Sequence, residues 1–281
     1  MTRLHGRFVW YELITTDMEA GRVFYTKVLG WGIRDGSMPG MSYTLFTLGG
    51  APVAGMMMLS QQARTMGGKP TWTGHVAVND VDAAAEKVRR LGGVVHVPPT
   101  DVPNVARFSI IADPQTATLF LVKGHGPGQE QVGDIGKTGR VGWHELFAAD
   151  SEKAFAFYSE LFGWEKATAD AGTKGTYQVF SARGQAIGGM FTKSAAVPVP
   201  FWLYYFNVGD IDTALKRVNA AGGQILEGPI ELPGGSFIAR CIDPQGAMFA
   251  LEGKRSHRPV GYFERVTPLD PAARRGGRWS W

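Results

Sequence analysis

The chain has 281 residues, 44% hydrophobic and only 19% charged, with 38 glycines and 16 prolines, a mixture that suits short strands joined by many turns and excludes a disordered chain. The formal charge of +4 sits in one place: seven Lys or Arg against two acidic residues from Lys254 onward leave 22 basic against 23 acidic in residues 1–253, so no nucleic-acid partner is expected. The lone Cys241 excludes an internal disulfide and is expected to be buried and inert, and no signal-peptide core or membrane-length apolar run is present, so the expectation is a soluble, cytoplasmic protein with no membrane partner.

In chain order, Asp17 is placed to cap a helix with Val23, Phe24 and Val28 as its apolar stripe and Gly30 as its end. Strands are predicted at 43–48 and 53–59. Asp80 or Asp82 then opens a second helix, with Ala84, Val88 and Leu91 inward and Gly92-Gly93 as its stop. Further strands are predicted at 94–97, 108–112 and 118–122. The glycine-rich, polar stretch that follows, KGHGPGQEQVGDIGKTGR from Lys123, reads as a linker.

The pattern then starts again. GRFVWYELITTDMEAGRVFYTKVLGW, ending at Trp31, matches GRVGWHELFAADSEKAFAFYSELFGW, ending at Trp164 and displaced by 133. PTWTGHVAVNDVDAAAEKVRRLGG, from Pro70, matches PFWLYYFNVGDIDTALKRVNAAGG, from Pro200, and the register holds through IADPQTATLFL and CIDPQGAMFAL. The chain is therefore a tandem duplication, and each copy reads as two βαβββ modules. The boundaries are 1–124 for the first domain, 125–138 for the linker, 139–254 for the second domain and 255–281 for a basic tail carrying Tyr262, Phe263, Trp279 and Trp281. Such a tail is expected to dock through Trp279 or Trp281 on a domain or a second chain, which leaves a homodimer open.

Paired βαβββ modules, FYxxxLGW after an Asp-capped helix, a DVD helix and a DP turn before an apolar strand, twice in one chain, resemble the vicinal oxygen chelate (VOC) superfamily, the glyoxalase, bleomycin-resistance and extradiol dioxygenase group. The closer likeness is to two-domain proteins labelled glyoxalase or hydroxylase. The resemblance implies an α+β fold of two tandem VOC domains, each curling its strands into a half-open barrel around a cleft with the helices outside. Metal-using relatives carry ligands on the first and last strands of their modules. The matching positions here hold Trp10, Thr73 and Phe120 in copy one and Trp143, Leu203 and Ala250 in copy two, a set with no ligands for a catalytic metal. Neither metal nor other cofactor is expected.

Two residues further along, and so on the same face of each strand, stand Glu12, His75 and Val122 in copy one and Glu145, Tyr205 and Glu252 in copy two. Glu12 and Glu145 lie inside apolar runs, where a carboxylate needs a partner or a cleft. Glu12, His75, Glu145 and Tyr205 are the candidate catalytic residues. Trp10, Trp72, Met56, Trp143, Met190 and Trp202, which recur between the copies, are the candidate ligand-binding wall. Tyr25, Tyr158, Trp31 and Trp164 read as structural, and His144 should point away from the face carrying Glu145. The expected partner is a small apolar or carbonyl-bearing metabolite, bound without a metal and either oriented or deprotonated by a carboxylate. A divalent-metal glyoxalase or ring-cleaving dioxygenase using the shifted positions, and a non-catalytic interaction module with filled clefts, are the alternatives.

Overall fold

A computed structural model describes residues 4–124, 136–167 and 177–256. Most of the expected linker and nearly all of the expected tail, including Tyr262, Phe263, Trp279 and Trp281, lie outside the described residues. The first repeat runs β1 (Phe8–Thr15), α1 (Met18–Leu29), β2 (Gly32–Asp35), β3 (Tyr43–Leu48), β4 (Ala51–Met58), a short α2 (Gln61–Thr65), β5 (Thr71–Ala77), α3 (Val81–Arg90), β6 (Val94–Val102), β7 (Ala106–Ala112) and β8 (Thr118–Gly124). The second runs β9 (Val141–Ala148), α4 (Ser151–Phe162), β10 (Glu165–Lys166), β11 (Gln178–Ala182), β12 (Gln185–Thr192), β13 (Phe201–Asp210), α5 (Ile211–Ala220), β14 (Gln224–Glu231), β15 (Phe237–Ile242) and β16 (Met248–Lys254). Four βαβββ modules are present, as the repeats imply.

Each repeat forms one open eight-stranded sheet, in the orders β2-β3-β4-β1-β5-β8-β7-β6 and β10-β11-β12-β9-β13-β16-β15-β14. The first strands of the two modules, β1 with β5 and β9 with β13, pair antiparallel at the centre of each sheet. The sheets do not close, which leaves a half-open face in each repeat. Asp17 caps α1 by accepting from the Ala20 amide, and Gly30 ends it at φ 70°, a left-handed conformation that a residue with a Cβ resists. Asp80, and not Asp82, caps α3; Asp82 instead pairs with Arg107. Val23, expected in the apolar stripe, is 43% exposed, because the buried stripe of α1 runs through Gly21, Phe24, Tyr25 and Val28.

The helix-covered faces of both sheets share a single core. Phe24 of α1 meets Phe249 of β16, and Trp31 and Trp72 meet Phe206 of β13, with ring centroids 5.0–5.7 Å apart. Two reciprocal relays cross this boundary. Trp72 Nε1 donates to the Tyr25 hydroxyl (2.8 Å), which donates to Asp243 Oδ2 (3.0 Å) in the other repeat. Trp202 Nε1 donates to the Tyr158 hydroxyl (3.1 Å), which donates to Asp113 Oδ2 (2.9 Å). The indoles of Trp31 and Trp164 likewise reach the carbonyls of Gly139 and Gly6. His144 is also buried in the interface, where its Nδ1–H donates to the Ile187 carbonyl and its Nε2 accepts from the Tyr11 hydroxyl at 2.7 Å. Burial pushes its pKa down to about 4, in keeping with a neutral ring. Cys241 is fully buried, and burial raises its thiol to about 12. No helix of the described residues is long and apolar enough to cross a membrane.

Removing one relay hydroxyl strands an indole N–H, an unsatisfied buried group worth about 1–3 kcal/mol, while the buried carboxylate keeps its two backbone amide donors. Tyr25→Phe and Tyr158→Phe should therefore each lower the unfolding free energy by about 1–3 kcal/mol in urea melts. Both repeats should still unfold in one transition, because they share the core.

Candidate functional site

Alternation along the strands gives each sheet a second face, turned away from the shared core. On β1 this face carries Trp10 and Glu12, while Leu13 points into the core with 0% exposure. Register sets the neighbours: Glu12 lies opposite Thr73 of β5 and Gly55 of β4, and Trp10 lies opposite His75, which lies opposite Phe120 of β8. Tyr43 of β3 reaches over Gly55 and joins the group. A Cβ at Gly55 would overlap the Tyr43 hydroxyl and crowd Glu12 Oε1, so the residue at this strand position must be glycine for the ring to lie down.

A directed chain of hydrogen bonds results. Trp10 Nε1 donates to the Tyr43 hydroxyl (3.2 Å), and that hydroxyl donates to Glu12 Oε2 (2.8 Å). Glu12 is 4% exposed, and its Oε1 has no hydrogen-bond partner. His75 Nε2, also buried and without a hydrogen-bond partner, stands 3.8 Å from Glu12 Oε2. That distance would suit an ion pair, but burial disfavours both charges. It raises the Glu12 pKa to about 8, with the Tyr43 and Trp10 hydrogen bonds only partly opposing it, and lowers that of His75 to about 3. Near neutral pH the pair is a carboxylic acid beside a neutral imidazole. The His75 ring stacks on Phe120 with centroids 4.3 Å apart and planes at 7°, and Phe108 continues the stack at 5.9 Å.

The second repeat builds the same frame and fills it differently. Trp143 Nε1 donates to the Tyr177 hydroxyl (2.9 Å), and Gly189 leaves room for that ring as Gly55 does for Tyr43. Glu145, 5% exposed, has its Oε2 bound by the Tyr205 hydroxyl (2.6 Å) and by Arg240 Nη2 (3.0 Å). Arg240 also bonds Glu227 and stands 5.0 Å over the Phe147 ring. Burial works against the guanidinium charge, but Tyr205 and Glu145 more than offset it and hold Arg240 above its ordinary pKa. Phe147, Leu203, Tyr205 and Ala250 form a small apolar cluster of their own on this face.

The structure thus brings Glu12 to His75 and Glu145 to Tyr205, with Trp10 and Trp143 beside them. It does not bring Trp72, Met56, Met190 or Trp202 to either face. Each is one residue out of phase with the face: Met56 and Met190 pair with Leu13 and Leu146, all fully buried, and the two indoles are spent on the tyrosine relays of the core. Glu252 accepts from Ser236 and is not joined to Glu145 by any hydrogen bond. Tyr43, Tyr177, Gly55, Gly189 and Arg240 were not singled out from the sequence. A signal for the first four existed, since Tyr43 and Tyr177, and Gly55 and Gly189, are each displaced by 134. Arg240 breaks the repeat, its counterpart being Ile110, and a comparison of the copies for charge would have exposed it.

A catalytic divalent metal of the kind used by extradiol dioxygenases and glyoxalases does not fit this donor set. The indoles of Trp10 and Trp143 are donors engaged with tyrosines, and Thr73, Phe120, Leu203 and Ala250 offer no ligand of the usual kind. One strand repeat along, copy one supplies only Glu12 and His75, and the Glu145 carboxylate already neutralises a guanidinium. Among the described residues no three His, Cys, Asp or Glu side chains converge. A cavity of about 260 Å³ lies elsewhere, at the repeat boundary between Val28, Leu29, Val208, Thr213 and Arg217.

Comparison with known proteins agrees with this architecture. The family model described as "Glyoxalase/Bleomycin resistance protein/Dioxygenase superfamily" matches residues 7–119 and 140–251. A Mycobacterium tuberculosis protein named "Putative glyoxylase CFP32" is 33% identical over 246 residues, 86% of this chain and 92% of that one. "Anthracycline biosynthesis protein DauV" of Streptomyces sp. (strain C5) is 34% identical over 275 residues, 92% of this chain and 98% of that one. Among solved structures, the Mn(II)-bound glyoxalase from Novosphingobium aromaticivorans aligns with a TM-score of 0.60 at 14% identity, covering 89% of this chain and 82% of that one. The 2,3-dioxygenase LapB from Pseudomonas sp. KL28 aligns at 0.58 and 11%, covering 90% and 93%. At these identities the structural matches speak for the fold alone.

Two predictions follow from the contrast between the copies. A carboxyl raised from 4.5 to about 8 on folding contributes stability that is complete below pH 4.5 and is lost as pH rises through about 8. Glu12→Gln should therefore be more stable than the parent above pH 8 and should flatten the parent's decline across that window, read as urea midpoints. In copy two, Arg240→Ala leaves Glu145 buried without its counter-charge and should cost about 2–4 kcal/mol, whereas the double change Glu145→Gln with Arg240→Met should cost less than the single one.

Proposed function

The chain belongs to the glyoxalase/bleomycin resistance protein/dioxygenase superfamily, and from that premise we propose that its first repeat binds a small aromatic or carbonyl-bearing metabolite without a metal. The observation that carries this reading is the pair of buried polar atoms without hydrogen-bond partners, Glu12 Oε1 and His75 Nε2, on the paired strands β1 and β5, with the His75 ring stacked on Phe120. A buried polar atom left unpaired costs about 1–3 kcal/mol, and a ligand that reaches these two and satisfies them recovers that free energy.

The chemistry available is proton transfer. Glu12 is placed to act as a general acid, since burial keeps its carboxyl protonated near neutral pH and its Oε1 has no hydrogen-bond partner. Tyr43 holds Oε2, leaving Oε1 to the ligand, and the Trp10 indole orders Tyr43. Phe120 and Phe108 supply a flat wall for an aromatic body. Simple sequestration is the same site without the proton step. In the second repeat Arg240 and Tyr205 already occupy the equivalent carboxylate, so the ligand is assigned to the first.

Native mass spectrometry of protein purified without added ligand, with elemental analysis of the same sample, tests the reading. Well under one divalent metal per chain is expected, together with a small-molecule adduct that Trp10→Ala and His75→Ala weaken. Near one manganese, zinc or iron per chain, lost in Glu12→Gln, would move the assignment to a metalloenzyme.

A further inference from the structure

The two repeats bury the same glutamate and neutralise it in different ways. Glu145 is neutralised by a guanidinium. On the first repeat's face, the titratable groups turned toward Glu12 are Tyr43 from β3 and His75 from β5; β4 contributes Gly55 and no titratable group. The row across the sheet through Glu12 reads Arg34, Leu45, Gly55, Glu12, Thr73. Arg34 is exposed on the edge strand three strands away, or roughly 14 Å at the usual interstrand spacing, too far to serve as counter-charge to Glu12. Ile110 takes the place that Arg240 has in copy two.

The polarity of the hydrogen bonds then fixes the character of the free atom. Tyr43 donates to Oε2, so a proton carried by Glu12 sits on Oε1, the oxygen with no hydrogen-bond partner. We propose, building on the functional reading above, that the first repeat selects neutral aromatic carbonyl compounds, with Glu12 Oε1–H donating to the carbonyl oxygen, and discriminates against carboxylates and ammonium ions of the same shape. A carboxylate finds no cation beside Glu12. An ammonium finds no ionised carboxylate, because burial holds Glu12 in its acid form near neutral pH. An imidazole kept neutral by the same burial adds no charge of its own.

Calorimetric titration with three probes of one shape, naphthyl methyl ketone, naphthoate and naphthylmethylamine, near neutral pH reads the selection directly. The ketone should bind at least about tenfold more tightly than either charged probe, the scale expected of one well-made hydrogen bond against an unpaired buried group. Glu12→Gln keeps a donor at this position and should hold ketone affinity within about threefold, while Glu12→Ala should lose about tenfold. The infrared carbonyl band of a protonated carboxyl, present near neutral pH in the parent and absent from Glu12→Gln, reads the same state without any ligand. Tighter binding of the amine, equal binding of the naphthoate, ketone affinity unchanged in Glu12→Ala, or absence of the infrared band would each overturn the selection while leaving the binding face intact. Failure of all three probes to bind would overturn both the selection and the functional reading.

Discussion

Everything in this chain rests on two hydrogen bonds that cross between its repeats, from Tyr25 to Asp243 and from Tyr158 to Asp113. Each joins a helix of one copy to the last turn of the other, and each draws a tryptophan of a central strand in behind it. The carboxylates are also braced by amides of their own turns, Gln115 and Ala117 for Asp113, and Gln245 and Ala247 for Asp243. The bonds lie in a low-dielectric interior where satisfied polar networks specify geometry and broken ones are costly. They lie within the shared apolar core, where the alternation of strand side chains decides which face of each sheet is buried, and so which face is left for chemistry.

On that remaining face the repeats have kept a scaffold and exchanged its electrostatics. Tryptophan, tyrosine, glycine and glutamate recur as a set, with the tyrosine laid over the glycine and the indole aimed at its hydroxyl. The variable is what answers the carboxylate. In the second copy a guanidinium does so and links Glu145 to Tyr205 and Glu227, whereas in the first the burial itself keeps the group neutral. One face is a closed ion pair, and the other a hydrogen-bond donor in search of an acceptor.

Much of this was legible in the sequence, for physical reasons that differ by feature. The duplication, the four modules and the caps at Asp17, Gly30 and Asp80 are local signals, and the alternation of strand side chains correctly put Glu12 with His75 and Glu145 with Tyr205. Recurrence alone could not tell a repeated core residue from a repeated site residue, which is why Trp72, Trp202, Met56 and Met190 read as a cleft wall although each lies one residue out of phase with it. Tyr43 and Arg240 reach the carboxylates from strands distant in sequence, and only the sheet order brings them there. His144 illustrates the same limit: its direction was readable from β9, but its partner Tyr11 belongs to the other repeat.

The reciprocity of the tyrosine contacts also bears on ancestry. Tyr158 is Tyr25 displaced by 133 residues and Asp243 is Asp113 displaced by 130, so the interface has the self-complementary form of a twofold dimer whose halves happen to share one backbone. Two identical chains in such an assembly must change both sites with every mutation. Once fused, an arginine could enter one pocket while an isoleucine stayed in the other, and a symmetric frame could carry two unlike chemistries.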